Sequence, residues 1–193
     1  SVNHIDLGRI HGYGRRVFER SGANAFPMTV GQDVAGVIES ITSDVEGLEV
    51  GQQVFGLKPP GPRGAHAEYV TVPAAFLRPL PDGLHLHHAA AIPYVGATAC
   101  IALRKAFPDL PRQVEVAGKR LLVQGAAGGV GAAAAQIAAS LGAKVTGVVL
   151  DHQREAVSPL SLERVVSPTE LADLPTEYDF SLQTTAHDTD KLA

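Results

Sequence analysis

The 193-residue sequence predicts an α/β protein in two parts, a β-rich first part and a second part built on a parallel sheet. Three observations carry this. Residues 26 to 80 set short apolar runs between glycine and proline turns. From His85 onward helix formers take over in AAAIPYVGATACIALRKAF. Between Leu121 and Val149, LLVQGAAGGVGAAAAQIAASLGAKVTGVV places a glycine turn and an alanine-rich helix between two apolar runs.

Taken in order, SVNHIDL has the alternation of a strand already under way. Further strands are expected at Val34 to Ile41, Val54 to Leu57 and Tyr69 to Val72, with KPPGPRG as a turn between the last two. The shift in composition sets the boundary near Ala90, giving parts 1–90 and 91–193. Leu121 to Val123 reads as a buried parallel strand. Gly129 to Leu141 reads as a helix with Val130, Ala134, Ile137 and Leu141 on one face, and Gly142 stands where a helix C-cap belongs. Lys144 to Leu150 resumes a strand pattern, which completes one βαβ unit. Pro159 cuts the next helix short, and SLQTT reads as a fourth strand.

A glycine turn between a strand and a helix lets the backbone approach a pyrophosphate, whose charge the helix N–H groups and dipole then meet. The usual G-x-G-x-x-G would require glycine at position 126, where Ala126 stands, with Gly128 and Gly131 in register. The alternative is a βαβ unit without ligand, whose glycines serve only close packing of helix on sheet.

Bulk properties exclude several classes. Net charge is −4 and the basic residues are scattered, so neither nucleic acid nor an anionic membrane has an electrostatic footprint. No apolar run of about 18 residues exists, because Gln136, Gly142 and Lys144 interrupt the alanine-rich stretch. The single cysteine, Cys100, cannot form an internal disulfide, and the start of the chain does not resemble a signal peptide. These features set a cytoplasmic expectation for location. The histidines at 85, 87 and 88 lie at a helix start with no acidic or thiol partner at ligand spacing, so they read as a solvated turn.

Six segments stand in a recognisable order: SVNHID, HGYG, FPMTVGQDVAGVI, GAHAEYV, AAAIPYVGATA and GKRLLVQGAAGGVG. Together they resemble the zinc-independent quinone oxidoreductases of the medium-chain dehydrogenase/reductase superfamily, in particular the reticulon-4-interacting-protein type. The match spans Ser1 to about Val149 and weakens past Leu150. The resemblance implies a GroES-like β domain followed by a Rossmann domain, with NADPH and a small-molecule substrate in the cleft between them. It further implies that the first strands of the former and the last strands of the latter are absent, so that the fold is incomplete at both chain ends. A homodimer is the assembly considered.

The ligand inventory argues separately against zinc. A catalytic Cys₂His site and a structural cysteine cluster both need more than one cysteine, and Gly31, Gln32 and Asp33 occupy the place of the Gly-His-Glu motif of zinc-dependent relatives. No metal site is therefore expected. Without a Lewis acid, the negative charge that develops on a quinone or enone oxygen must be met by hydrogen-bond donors, each worth about 2.7–4 kcal/mol in the transition state. The resemblance makes Tyr13 of HGYG the first candidate, since a phenol can donate a hydrogen bond or a proton, against the plainer reading of an exposed turn aromatic. Asn3 of the V-N-x-x-D segment is the second, with Asp6 fixing the loop. Thr98 matches the relatives' threonine beside the nicotinamide, against a plain helix-packing role, and Tyr94 ranks lower as a cleft residue. The pyrophosphate is assigned to Ala127, Gly128, Gly129, Val130 and Gly131.

The choice of nucleotide is a conflict within the sequence. Asp151 lies where an NAD-specific fold places the acid for the ribose diol, about 20 residues past the glycine motif. The resemblance points instead to NADPH. Leu150 takes the place of the small polar residue that suits a 2′-phosphate in relatives, and His152 and Arg154 follow within reach of one. NADPH is the expected cofactor. Three readings stay open: an NADPH-dependent quinone or enone reductase, an enoyl-thioester reductase, and a binding or scaffold protein on the same fold, which the departures after Leu150 favour. For either reductase the ligand inventory gives one expectation. Overnight chelation leaves the rate unchanged, and a chelator-sensitive rate restored by zinc overturns it.

Overall fold

The structure, a computed structural model, describes residues 1–13, 27–107, 116–174 and 177–185. Gly14 of HGYG, Phe26 of FPMTVG, and Ala186 and His187 that follow SLQTT lie outside these residues. The chain divides into two compact units, Ser1–Tyr94 and Val95–Ala193.

In the first unit, the strand expected at SVNHIDL is instead helix α1, His4–Ile10. Asn3 is its extended N-cap, and the Asp6 carboxylate, three residues on, accepts the Asn3 N–H at 2.8 Å. The other Asp6 oxygen accepts the N–H of Gly31 at 2.9 Å. The face that α1 buries is ionic: Asp6 and Arg9 are each 1% exposed, whereas Leu7 and Ile10 are 51% and 52% exposed. Hydrophobic periodicity therefore misreports the segment.

Strands β1 (Asp33–Val37), β2 (Gln53–Leu57) and β3 (Leu77–Pro79) form an antiparallel sheet in that order, with Val34 opposite Gly56 and Phe55 opposite Arg78. The β1 strand thus ends at Val37, short of the Ile41 read from the sequence. Tyr69 to Val72 is not a strand. This stretch enters the fold through its preceding residues, where Gly64, Ala65 and His66 donate N–H bonds to Thr29, Gly31 and Val30. Those bonds are made before Tyr69 is reached, and that aromatic is 77% exposed. A short helix, α2 (Leu86–Ala89), precedes the longer α3 (Pro93–Ala106), whose first two residues close the first unit.

The second unit carries a parallel sheet. Strands β4 (Arg120–Gln124), β5 (Lys144–Val148), β6 (Arg164–Val166) and β7 (Phe180–Gln183) lie in the order β6-β5-β4-β7, the 3-2-1-4 order of the first strands of a Rossmann fold. Helix α4 (Gly129–Ser140) crosses from β4 to β5 and ends at Gly142, whose φ of +88° suits only glycine. Its alanines set how closely helix and sheet approach: Ala134, Ala135 and Ala138 are fully buried against Leu121, Val123 and Val145. Leu103 and Phe107 from α3 join the same core, with the Phe107 and Phe180 rings 4.3 Å apart. After β5, two single 3₁₀ turns, Asp151–Gln153 and Glu155–Val157, stand ahead of Pro159, and no α-helix forms before β6.

The β4 to β7 pairing is extended by one carboxylate. Asp179 accepts the Arg120 N–H at 2.8 Å and the Lys119 ammonium at 3.1 Å. The Arg120 N–H first and the Lys119 ammonium next hold this carboxyl below its usual range.

Two outcomes are expected. Leu121 is 1% exposed in the central strand, so Leu121→Ala lowers unfolding free energy by roughly 2–5 kcal/mol in denaturant titrations. For Asp179, a depressed folded pKa means that the stabilisation is present above the unfolded carboxyl pKa and is lost as pH falls through the folded value. The difference in denaturation midpoint between wild type and Asp179→Asn should shrink as acid is added. A difference that stays constant into the acid range contradicts this.

Candidate functional site

In the second unit the candidate site is the turn between β4 and α4. Gly125, with φ of +80°, makes the tight reversal that the sequence pattern assigned to position 126, while Ala126 is a fully buried core residue. The N–H groups of Gly125 and Ala126 both reach the Val148 carbonyl, at 3.0 and 3.2 Å, which fixes the turn against the carboxyl end of β5. Gly128 then donates to the Gly125 carbonyl at 2.9 Å and serves as N-cap of α4, with no side chain capping the helix.

The first intrahelical bond is from the Ala132 N–H to the Gly128 carbonyl, at 2.8 Å. The N–H groups of Gly129, Val130 and Gly131 precede it and have no carbonyl to meet within the helix. Gly128 and Gly129 are exposed, and Ala127 and Val130 are half-buried beside them. Two glycines are required by close approach. A Cβ on Gly131 would press into the Gly125 carbonyl, and one on Gly125 would come within 2.7 Å of the Thr184 hydroxyl. Thr184 itself donates to the Gln124 carbonyl at 2.8 Å, so β7 braces the turn from the other side. The donor set, beside two exposed glycines, fits a pyrophosphate.

Asp151, His152 and Arg154 follow β5 at the same end of the sheet. The exposed His152 lies in the first 3₁₀ turn. Arg154 is committed within the protein. Its Nε donates to Asp151 Oδ1 at 3.1 Å, one Nη to the Val165 carbonyl at 3.0 Å, and the other Nη to Glu170 Oε2. Glu170 is in turn held by the Ser167 N–H at 2.6 Å, at the start of the 3₁₀ segment Pro168–Asp173. That N–H, and then Arg154, keep the Glu170 carboxyl below its usual range. Arg154, expected as a ligand for a 2′-phosphate, is thus placed between two carboxylates that take the role of one. Thr98, on α3, is half-buried in this same unit.

In the first unit, Asn3 directs its side-chain amide to Asp33 Oδ2 at 2.7 Å, and Asp33 Oδ1 accepts the Tyr94 N–H at 2.7 Å. Asp33 is 5% exposed and ties the cap of α1 to the start of α3. Burial first, and then the charges of Asp6, Tyr13 and Asp33, push the Tyr94 phenol above its usual pKa. Tyr13 stands in the turn after α1, its N–H bonded to the Gly8 carbonyl at 2.7 Å and its side chain 68% exposed. Asp6 fixes the loop at Gly31, where φ is +100° and a Cβ would collide with His66. His85 caps α2 and meets the His88 ring edge-on at 6.1 Å. Among the described residues no group of three or more His, Cys, Asp or Glu side chains could hold a metal ion.

Sequence reasoning missed Asp33, Thr184 and Glu170. A charged residue opening the apolar run DVAGV signals the first, and Ser167-Pro-Thr-Glu170 is a capping-box spacing that signals the last. Thr184 left no signal, since its role arises only where β7 pairs with β4.

The alcohol dehydrogenase GroES-like domain family matches residues 1–82. The chain is 33% identical over 177 residues to the mitochondrial NAD(P)H oxidoreductase RTN4IP1 of Mus musculus, covering 88% of this chain and 44% of that protein. It therefore spans less than half the length of that relative. Among solved structures, the quinone oxidoreductase from Coxiella burnetii superposes with a TM-score of 0.81 at 26% identity, covering 97% of this chain and 58% of that one. YhdH of E. coli K-12, solved with bound NADPH, gives a TM-score of 0.69 at 26% identity, covering 97% and 57%. The cytoplasmic location expected from the cysteine count is corrected by these relatives: the RTN4IP1 proteins of mouse, human, cattle and zebrafish are mitochondrial. A reducing interior is common to both compartments, so one free cysteine does not separate them. Among the described residues no helix is long and apolar enough to cross a membrane. By its GroES-like domain, its relatives and its fold, the chain belongs to the medium-chain dehydrogenase/reductase superfamily, among the quinone oxidoreductase-like members.

Proposed function

We propose that this chain is part of a mitochondrial, zinc-independent reductase that uses NADPH to reduce a quinone or an α,β-unsaturated carbonyl. The observation that carries the reading is the uncapped N-terminus of α4 over a glycine turn fixed to the end of β5. The N–H groups of Gly129, Val130 and Gly131 would hold the pyrophosphate, Ala127 and Gly128 would leave room for it, and Thr98 would lie toward the nicotinamide. When bound, the nucleotide supplies a hydride.

The protein's own part is to orient the substrate and stabilise the oxygen on which charge accumulates. Tyr13 is suited to this because its phenol is exposed while its backbone is fixed to Gly8. Asn3 is held by Asp33, so its amide orientation is set before substrate arrives. Asp33 is a positioning residue rather than a catalytic one. The placement of Arg154 among Asp151, Val165 and Glu170 favours a modest preference for NADPH, because a 2′-phosphate must compete with carboxylates already in place.

The test uses the full-length protein, with NADPH oxidation followed in the presence of a quinone and of an enone. Turnover with either is expected. Tyr13→Phe should lower kcat by about a hundredfold or more, the typical loss of one oxyanion donor, with nucleotide affinity unchanged. Nucleotide binding without turnover on either substrate refutes the reductase reading and leaves a binding protein on the same fold.

A further inference from the structure

We propose that Glu170 is a specificity-determining residue. It occupies the guanidinium of Arg154 and so limits how far the protein prefers a 2′-phosphorylated nucleotide over an unphosphorylated one. The inference rests on nucleotide binding at the α4 turn.

The argument begins with donors and acceptors. Within 150–155, Arg154 is the only residue that is cationic at every physiological pH, so it is the group from which a 2′-phosphate at this end of the sheet would draw a fixed positive charge. Its donors are distributed over three partners: Asp151 through Nε, the Val165 carbonyl through one Nη, and Glu170 through the other. Two of the three are carboxylates, whose oxygens are chemically close to those of a phosphate.

The two carboxylates differ in how firmly they are held. Asp151 is 79% exposed and belongs to the same short turn as Arg154. Glu170 comes from 16 residues away, and the oxygen that accepts the Arg154 hydrogen bond also accepts the Ser167 N–H. Its position is therefore set by the backbone at the start of the Pro168–Asp173 segment and not by Arg154 alone. An arriving 2′-phosphate must either displace a carboxylate that the backbone keeps in place or share Arg154 with it, two anions against one cation. Both routes cost affinity that an unphosphorylated ribose does not lose, since its diol calls on Asp151 and not on Arg154.

Glu170→Gln is the direct test. Glutamine keeps the shape and can still accept the Ser167 N–H through its amide oxygen, while the competing charge is removed. The probes are adenosine 2′,5′-bisphosphate and adenosine 5′-monophosphate, which differ by the 2′-phosphate and need no nicotinamide pocket. Their affinities for the full-length protein are measured by calorimetry, so no turnover is involved. The expected result is a rise of about fivefold in the ratio favouring the bisphosphate, the scale of one exposed charge pair, with monophosphate affinity unchanged. The rise should vanish in Glu170→Gln combined with Arg154→Ala, and should fall at high salt. An unchanged ratio in a folded Glu170→Gln protein overturns the proposal while leaving nucleotide binding intact. If Glu170→Gln fails to fold, Glu170→Ala is read in the same way. Failure of both nucleotides to bind the wild-type protein overturns the nucleotide reading, and this proposal with it.

Discussion

The Val148 carbonyl accepts two N–H groups, from Gly125 and Ala126, and the second unit depends on that pair. Without it the chain leaving β4 could pass over the sheet in many ways. With it, the reversal at Gly125 is fixed to the end of β5, Ala126 drops into the core, and Gly128 is delivered as the cap of α4. The glycines follow from this constraint. Gly125 needs a positive φ and Gly131 must clear the Gly125 carbonyl, so each is required by backbone geometry whether or not a nucleotide is bound. Packing and ligand binding therefore ask for the same residues, which is why the sequence alone leaves both readings open.

The first unit is organised by a different principle. Its fully buried side chains include Asp6 and Arg9 of α1, and Gln32 and Asp33 are nearly so. Among its described residues the buried apolar side chains are few, chiefly Val54 and Ala89. Such a unit is specified by hydrogen bonds more than by apolar burial. Asp6 joins α1 to Gly31, and Asp33 joins Asn3 to Tyr94, so two carboxylates position the segments that carry the candidate catalytic side chains.

This contrast explains what was legible in the sequence. In the second unit, β4, α4, β5 and β7 follow from apolar runs, alanine content and glycine stops, because burial there is apolar and leaves a periodic trace. In the first unit, the segment that forms α1 has the pattern of a strand because its buried face is Asp6 and Arg9, to which hydrophobic periodicity is blind. Tyr69 to Val72 has strand composition but is not a strand, and pairing with Thr29 to Gly31 is made by the residues just before it. The same limit applied to the candidate site. The glycine turn was legible as a motif, whereas the engagement of Arg154 by Glu170 joins β5 to the segment after β6 and exists only in the fold.

At the end of β5 one guanidinium stands between two carboxylates, Asp151 and Glu170, which leaves a net negative charge, and at the α4 turn the donors are backbone N–H groups without net charge. A phosphorylated ligand at these places would therefore not be drawn in by side-chain charge. It would have to be recognised at short range, by the dipoles of a helix terminus and by fit over the glycines. Dipolar recognition has a structural requirement that charge recognition lacks: the donors must be aimed before the ligand arrives, since each loses most of its effect when misaligned. That requirement accounts for the bracing around the turn. Val148 holds it from β5, Thr184 holds it from β7, and the buried alanines of α4 keep the helix against the sheet. The rigidity of the turn and the uncharged nature of its backbone donors belong together, since donors of this kind would bind an anion only if they are aimed in advance.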